Sequence, residues 1–338
     1  MESRMNILLT GVTGMVGSTM CDYLLANVPD VKIYASRRWR SDDRNIIHLY
    51  DNEQVIFVEV DLLDRGSLAN IIKQCKPDIV FHFAAQSYPM ASFFSPVATL
   101  STNVIGTTNL LDELKIAKEN FGIDPVIINC SSSEVYGNPL PEEIPIKETN
   151  PIRAANPYSI SKVGQDLMGQ YYYQAYGLKV ITTRLFSHEG KRRGRQFALS
   201  AFAYQIVKNE KLYNSAPVAT KYVINVGNLN SVRTYAHLDD AIRAYWLIAT
   251  KGVPGEIYNI GGDFTCTVGE ALEILIGKSV IPKELFSVEV VQGRIRPTDI
   301  TLQIPDCTKF KTLTGWIPLK TMDNIAEDLL GYWRSILH

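Results

Sequence analysis

Cysteine is scarce and has no useful pattern. Cys21, Cys75, Cys130, Cys266 and Cys307 are odd in number and far apart, with no Cys-x-x-Cys and no Cys/His cluster. That argues against a disulfide framework or a metal site and fits reduced thiols. Charge of one sign is also missing. A formal net charge of −1 provides no overall field for nucleic acid or an anionic membrane. No apolar run reaches the ~20 residues of a membrane span, and the opening MESRMNILLTG has too short an apolar stretch for a signal peptide. A cytoplasmic protein with no metal and no nucleic-acid or membrane partner is therefore expected. Internal repeats and low-complexity linkers are absent as well.

What is present is an ordinary globular composition, 46% hydrophobic and 20% charged over 338 residues. Apolar strand-like runs at 5–10, 31–36, 55–60, 78–85, 125–132 and 179–186 alternate with helical patterns at 15–27, 65–75, 97–119 and 157–176. Continuous apolar strands between helices predict an α/β fold, a Rossmann-type doubly wound parallel sheet covered on both faces. Past residue 187 the pattern is less regular, with a basic loop, a helix near 196–209 and the segment RTYAHLDDAIRAYWLIAT. The expected division is a nucleotide-binding domain over 1–186, with returning elements from about 220–262, and a smaller substrate-binding domain mainly over 187–338.

TGVTGMVG follows the first strand and opens a helix. Its glycines, Gly11, Gly14 and Gly17, permit a tight turn and the close approach of a pyrophosphate to a helix N-terminus. Thr13, Met15 and Val16 belong to the same loop. The three-residue gap between the first two glycines departs from the commonest dinucleotide fingerprint. The second strand runs into Arg37 and Arg38 where many NAD sites carry an acidic residue. A cationic pair suits a 2′-phosphate and hence NADP, although a solvated basic turn reads the same way. Asp61, after the third strand, could accept from an adenine amino group. The small residues of FAAQS (83–87) would let a cofactor come close.

NCSSSEVYG (129–137) puts Ser131, Ser132, Ser133 and Glu134 at the carboxyl end of a central strand, where ligands bind in open α/β sheets. In NPYSISK (156–162), Tyr158 and Lys162 lie four apart on one helix face. Alone this is a weak motif that any surface helix could carry. An ammonium beside a phenol would lower the tyrosine pKa and make it a usable acid or base. A hydroxyl, a carboxylate, a phenol and an ammonium would then converge on one substrate.

Taken in order, TGVTGMVG, Asp61-Leu62, AAQS, NVIGT (103–107), SSSE and YSISK resemble the extended short-chain dehydrogenase/reductase family over nearly the whole chain. Within that family SSSEVYG, LFSHEGKRRG, VGNLNSVR, RPTDI and DCTKFKTLTGWIP look most like the GDP-mannose 4,6-dehydratases. The resemblance implies NADP as cofactor, a GDP-sugar as substrate and a homo-oligomer, dimer or tetramer. It implies that Tyr158 takes the C4 hydroxyl proton, that Lys162 holds the nicotinamide ribose, that Ser132 bonds the C4 oxygen and that Glu134 abstracts the C5 proton. It places Leu62, Ala84, Ala85, Gln86, Leu185, His188 and Arg193 on the cofactor, the last through a basic loop at a subunit interface. Ser87, Ser133, Ser187, Arg233, Arg296 and Asp299 fall on the sugar nucleotide. This chain has Ser132 where a Thr is usual, Ser187 where an Asn is usual and Thr234 where an Asp is usual, and the segment before RPTDI is short. GDP-4-keto-6-deoxy-mannose reductases and GDP-sugar epimerases remain alternatives, as does a non-catalytic NADP-binding sensor or scaffold.

Overall fold

The computed structural model describes residues 4–215 and 221–337. Residues 1–3 of the opening stretch, and residue 220 at the edge of the expected returning segment, lie outside them.

The first half alternates as its apolar pattern requires: β1 (Met5–Thr10), α1 (Met15–Asn27), β2 (Val31–Arg37), β3 (Val55–Glu59), α2 (Arg65–Cys75), β4 (Ile79–His82), α3 (Pro89–Phe94), α4 (Pro96–Leu100), α5 (Gly106–Phe121), β5 (Val126–Cys130), α6 (Pro157–Tyr176) and β6 (Lys179–Leu185). Then come β7 (His188–Glu189), α7 (Ala198–Ser215), β8 (Tyr222–Val226), β9 (Val232–His237), α8 (Leu238–Lys251), β10 (Ile257–Ile260), β11 (Phe264–Thr267), α9 (Val268–Gly277), β12 (Phe286–Val290), β13 (Leu302–Gln303), α10 (Thr308–Thr314) and α11 (Met322–Leu337).

Seven strands pair in parallel in the order β10-β6-β5-β4-β1-β2-β3. Side chains of α2, α5 and α6 bury one face of this sheet, and those of α1 and α8 bury the other. This is the doubly wound class. Its strand order reverses between β1 and β4, which opens a crevice at the carboxyl ends of the strands. A second core joins α7, α9 and α11 to β8 and β9. The return to the main sheet is narrower than 220–262. Only α8 and β10 join it, because β8 carries Ile224 and Val226 into the second core and pairs with β12, while β9 pairs with β7, β11 and β13.

The helix expected over 97–119 is not continuous. Ser101–Ile105 forms a π-helical turn between α4 and α5. Buried Asn103 on that turn accepts from Gln86 N at 2.8 Å and donates to Gln86 O at 3.0 Å and Ser161 Oγ at 2.8 Å. The irregular turn thus ties the end of β4 to α6.

Candidate active site

At the start of the crevice, Gly11 has φ +74°, and a Cβ there would stand 2.8 Å from Ala84 N and Cα. A Cβ on Gly17 would stand 2.3 Å from Gly11 O. Backbone atoms do not yield to a side chain, so both positions require glycine. The turn therefore lies flat against the end of β4 and presents the N-terminus of α1 to a cavity of about 750 Å³. Gly11, Thr13, Gly14, Met15, Val16 and Gly17 all line it. This cradle fits the pyrophosphate of a dinucleotide. Asn45 closes it, donating to Thr13 O at 3.0 Å. No sequence pattern marks Asn45.

Six expected cofactor residues do not line this cavity. Ala84 is the backbone floor against which Gly11 presses. Gln86 uses its amide internally, donating to Thr99 Oγ1 at 2.9 Å and accepting from Tyr88 N at 2.6 Å. Asp61 Oδ1 accepts from Leu63 N at 3.0 Å. Leu62 is buried and packs where a Cβ on Gly106 would fall, 2.8 Å away. Arg37 stands 3.2 Å from Glu59 and also donates to the Tyr50 hydroxyl, which donates to Asp43 at 2.8 Å. Arg37 is thus already neutralised, and exposed Arg38 is left as the unpaired member of the two.

The catalytic candidates do converge. α6 begins with an Asn-Pro cap: Asn156 Oδ1 accepts from Ser159 N at 2.8 Å, and Ser159 Oγ accepts from Asn156 N at 3.0 Å. One turn in, buried Tyr158 and Lys162 face the end of β5, and both line the cavity with Ser132, Ser133 and Glu134. Ser132 Oγ caps the short turn Ser133–Tyr136 by accepting from Glu134 N at 3.2 Å. Behind them a buried ion pair, Arg184 Nε to Asp166 Oδ2 at 2.7 Å, fixes α6 to β6, and Ser131 Oγ donates to the same carboxylate at 3.2 Å.

Electrostatically the pair differs from the sequence expectation. Burial raises the Tyr158 pKa above its ordinary value, the Glu134 charge raises it further, and the Ser132 hydroxyl and Arg193 oppose this. Lys162 does not depress it. Its Nζ donates to Cys130 O and Gln165 Oε1, both at 2.8 Å, and stands 6.0 Å from the Tyr158 ring centroid. Burial lowers the Lys162 pKa. Desolvation is the largest influence on Tyr158.

Glu134 accepts from Asn156 Nδ2 through Oε2 at 3.0 Å, and its Oε1 stands 3.4 Å from Arg296 Nη1. Sequence reasoning missed Asn156; the Asn-Pro cap just before Tyr158 was its only signal.

Leu185, Ser187, His188 and Arg193 line the same cavity, as do Ala85 and Ser87. His188 Nδ1 lies 3.0 Å from Phe186 O, and burial lowers its pKa to about 4. The basic loop folds onto its own chain. Arg192 donates to Asp22 at 2.6 Å. Arg193 lies 3.4 Å from Glu189 and 3.7 Å over the Phe197 ring. At the far end stand Arg233, Arg294, Arg296 and Asp299. Asp299 accepts from Asn228 at 2.7 Å and Ser231 at 3.1 Å.

A glycine cradle for a dinucleotide thus shares one cavity with Ser132, Glu134, Tyr158 and Lys162. The family model described as GDP-mannose 4,6 dehydratase matches residues 8–329. The chain belongs to the GDP-mannose 4,6-dehydratase family. It is 28% identical to the dTDP-glucose 4,6-dehydratase of Escherichia coli over 94% of this chain and 91% of that one. It is equally 28% identical to the human GDP-mannose 4,6 dehydratase over 96% and 90%. The crystal structure of dTDP-glucose 4,6-dehydratase from Bacillus anthracis in complex with NAD superposes with a TM-score of 0.81, at 25% identity, covering 98% of this chain and 97% of that one. Family membership therefore spans both main cores. Among the described residues no helix is long and apolar enough to cross a membrane.

Proposed function

We propose that this protein is a nucleotide-sugar 4,6-dehydratase, acting on a GDP-hexose or GDP-heptose with NADP preferred over NAD. The observation that carries the reading is Glu134 placed beside Tyr158 and Ser132 in the cavity that the glycine cradle opens into. A bound nicotinamide dinucleotide supplies reversible hydride acceptance. The chain's own groups handle the protons. Ser132 Oγ bonds the sugar C4 oxygen, and Tyr158 Oη, whose phenolate a bound cationic nicotinamide ring and the Lys162 ammonium would together favour, takes the C4 hydroxyl proton. Lys162 holds the nicotinamide ribose. The C4 ketone acidifies the C5 hydrogen, and Glu134 removes that proton and passes it to the C6 hydroxyl, which leaves as water; the hydride would then return to C6 and a proton to C5, with no net use of cofactor. The resembling 4-reductases also carry a Glu at this position, so the choice of a dehydratase over a reductase rests on the HEGKRRG loop.

Residues 1–186 with α8 and β10 would hold the cofactor, and 187–338 mainly the sugar nucleotide. Support for a GDP-sugar rests on the resemblance of VGNLNSVR, RPTDI and DCTKFKTLTGWIP to the GDP-mannose dehydratases, and support for a dehydratase on the HEGKRRG loop, which lines the cavity through His188 and Arg193. Support for NADP rests on Arg38. Incubation with GDP-mannose and with dTDP-glucose, without added reductant, followed by mass analysis tests the reading. Loss of one water from the GDP-sugar is expected. Loss from dTDP-glucose alone would overturn the GDP-sugar assignment and leave the dehydratase reading standing, and loss from neither would overturn the activity on a hexose.

A further inference from the structure

We infer that Arg296 is a substrate-released clamp on Glu134: it holds the carboxylate in the free enzyme and moves to the diphosphate when the nucleotide sugar binds. The inference rests on the dehydratase reading, in which Glu134 is the C5 base.

Both oxygens of Glu134 are occupied. Oε2 accepts from Asn156 Nδ2 at 3.0 Å, and Oε1 is 3.4 Å from Arg296 Nη1. With the Arg296 guanidinium against Oε1, a substrate hydrogen can approach that oxygen closely only once the contact opens. The two partners are not equal. Asn156 is 3% exposed and fixed by its cap on α6. Arg296 comes from the irregular segment between β12 and β13, and its side chain is 27% exposed. Its contact is also the longer one, at the weak end for a charge-assisted hydrogen bond.

The three guanidiniums at this end of the cavity differ in what they have left to offer. Arg233 donates to the carbonyls of Val232 and Ile300. Arg294 donates to Asn225 O at 2.9 Å. Among the described residues the contact to Glu134 is the one that engages Arg296, in a group with five N–H donors in a fork that matches phosphate oxygens. Arg296 is thus the free donor best placed to take an incoming diphosphate, and doing so uncovers Glu134 Oε1. Charged and titratable groups that face Glu134 are Tyr158 on α6, Arg233 on β9 and Arg296 before β13, with Asp299 beside Arg233. With Arg296 withdrawn, the carboxylate loses its paired cation while Tyr158 and Asn156 stay in place. Oε1 is uncovered when the substrate's diphosphate is seated, which ties access to the carboxylate to occupancy of the site.

Linkage gives the test. If Glu134 competes with the diphosphate for Arg296, then removing its charge must strengthen diphosphate binding, and mainly through Arg296. GDP, dTDP and UDP are titrated calorimetrically into the cofactor-loaded enzyme, its Glu134→Gln and Arg296→Gln variants and the double variant. Arg296→Ala serves as a second charge-free variant should Arg296→Gln fail to fold. For whichever nucleotide binds the wild type, Glu134→Gln should tighten binding about 5-fold, since paired charges couple by roughly that much in mutant cycles. The same change in the Arg296→Gln background should alter binding less than about 2-fold. Equal tightening in both backgrounds, or none in either, overturns the clamp and leaves the dehydratase reading standing. Failure of all three diphosphates to bind the wild type overturns that reading, and the clamp with it.

Discussion

Asn156 performs two tasks with one amide: its oxygen caps α6 through Ser159 N at 2.8 Å, and its nitrogen holds Glu134 Oε2 at 3.0 Å. The start of the Tyr158 helix and the carboxylate on the β5 side are thereby set against each other by a single side chain. Asn156→Ser separates the tasks, because serine can cap but cannot reach Glu134. Stability should stay within a few tenths of a kcal/mol, whereas Asn156→Ala should lose about 1 kcal/mol from the missing cap. Both variants should slow water elimination about 10-fold or more. Melting curves alongside single-turnover kinetics check this. Wild-type elimination in Asn156→Ser would remove the positioning role.

NADP preference should depend chiefly on Arg38. Arg37 already pairs with Glu59 at 3.2 Å and bonds Tyr50. Arg38→Ala should therefore weaken NADP binding about 10-fold and leave NAD nearly unchanged, with Arg37→Ala doing less. Fluorescence titration of both cofactors measures this. Equal wild-type affinity for NAD and NADP contradicts the preference.

Self-association should occur through α6. Ile160, Leu167 and Tyr171 are 51%, 51% and 49% exposed and recur at helical spacing on one face, beside exposed Ile105 ahead of α5. Such a stripe fits a helix–helix contact between two copies. Sedimentation should show a dimer or tetramer at micromolar concentration, and Leu167→Glu should dissociate it. A stable wild-type monomer would contradict the proposal.

Acid should destabilise the fold through His82. Its Nδ1 lies 2.9 Å from Thr10 Oγ1 and its Nε2 lies 2.9 Å from Thr107 Oγ1, and burial lowers its pKa from 6.5 to about 3. The folded value lies below the unfolded one, so the unfolded chain binds a proton that the folded chain refuses. The contribution is complete above about pH 6.5 and declines towards about pH 3, by up to about 1.4 kcal/mol per pH unit. Urea denaturation at pH 7.5, 6 and 5 should show His82→Gln losing less stability on acidification than the wild type. Parallel decline in both would exclude His82 as the cause.

The parts of the site that were legible in the sequence are those set by local rules. Gly11, Gly14 and Gly17 follow a strand and open a helix, and Asn-Pro announces the helix that bears Tyr158 and Lys162. These features fix their own backbone whatever surrounds them. What was not legible depends on partners distant in the chain. Arg37 read as a free cation because Glu59 and Tyr50 reach it only once β2 and β3 pair. Gln86 read as a cofactor ligand because its partner Thr99 lies on another helix. The expected single helix over 97–119 hid the turn at Asn103, whose partner Ser161 is 58 residues away. The Tyr158–Lys162 spacing puts both residues on the cavity, whereas the burial that raises the Tyr158 pKa cannot be read from a four-residue interval.

The most direct measurement is single-turnover reaction of Glu134→Gln with cofactor and GDP-mannose, following reduced-nicotinamide absorbance and product mass together. The proposed mechanism predicts that hydride leaves C4, so absorbance rises and persists, while loss of water falls about 10²–10⁴-fold. Tyr158→Phe, run beside it, should show little absorbance change. Release of the 4-keto-6-deoxy product by Glu134→Gln at the wild-type rate would contradict the assignment of Glu134 as the base.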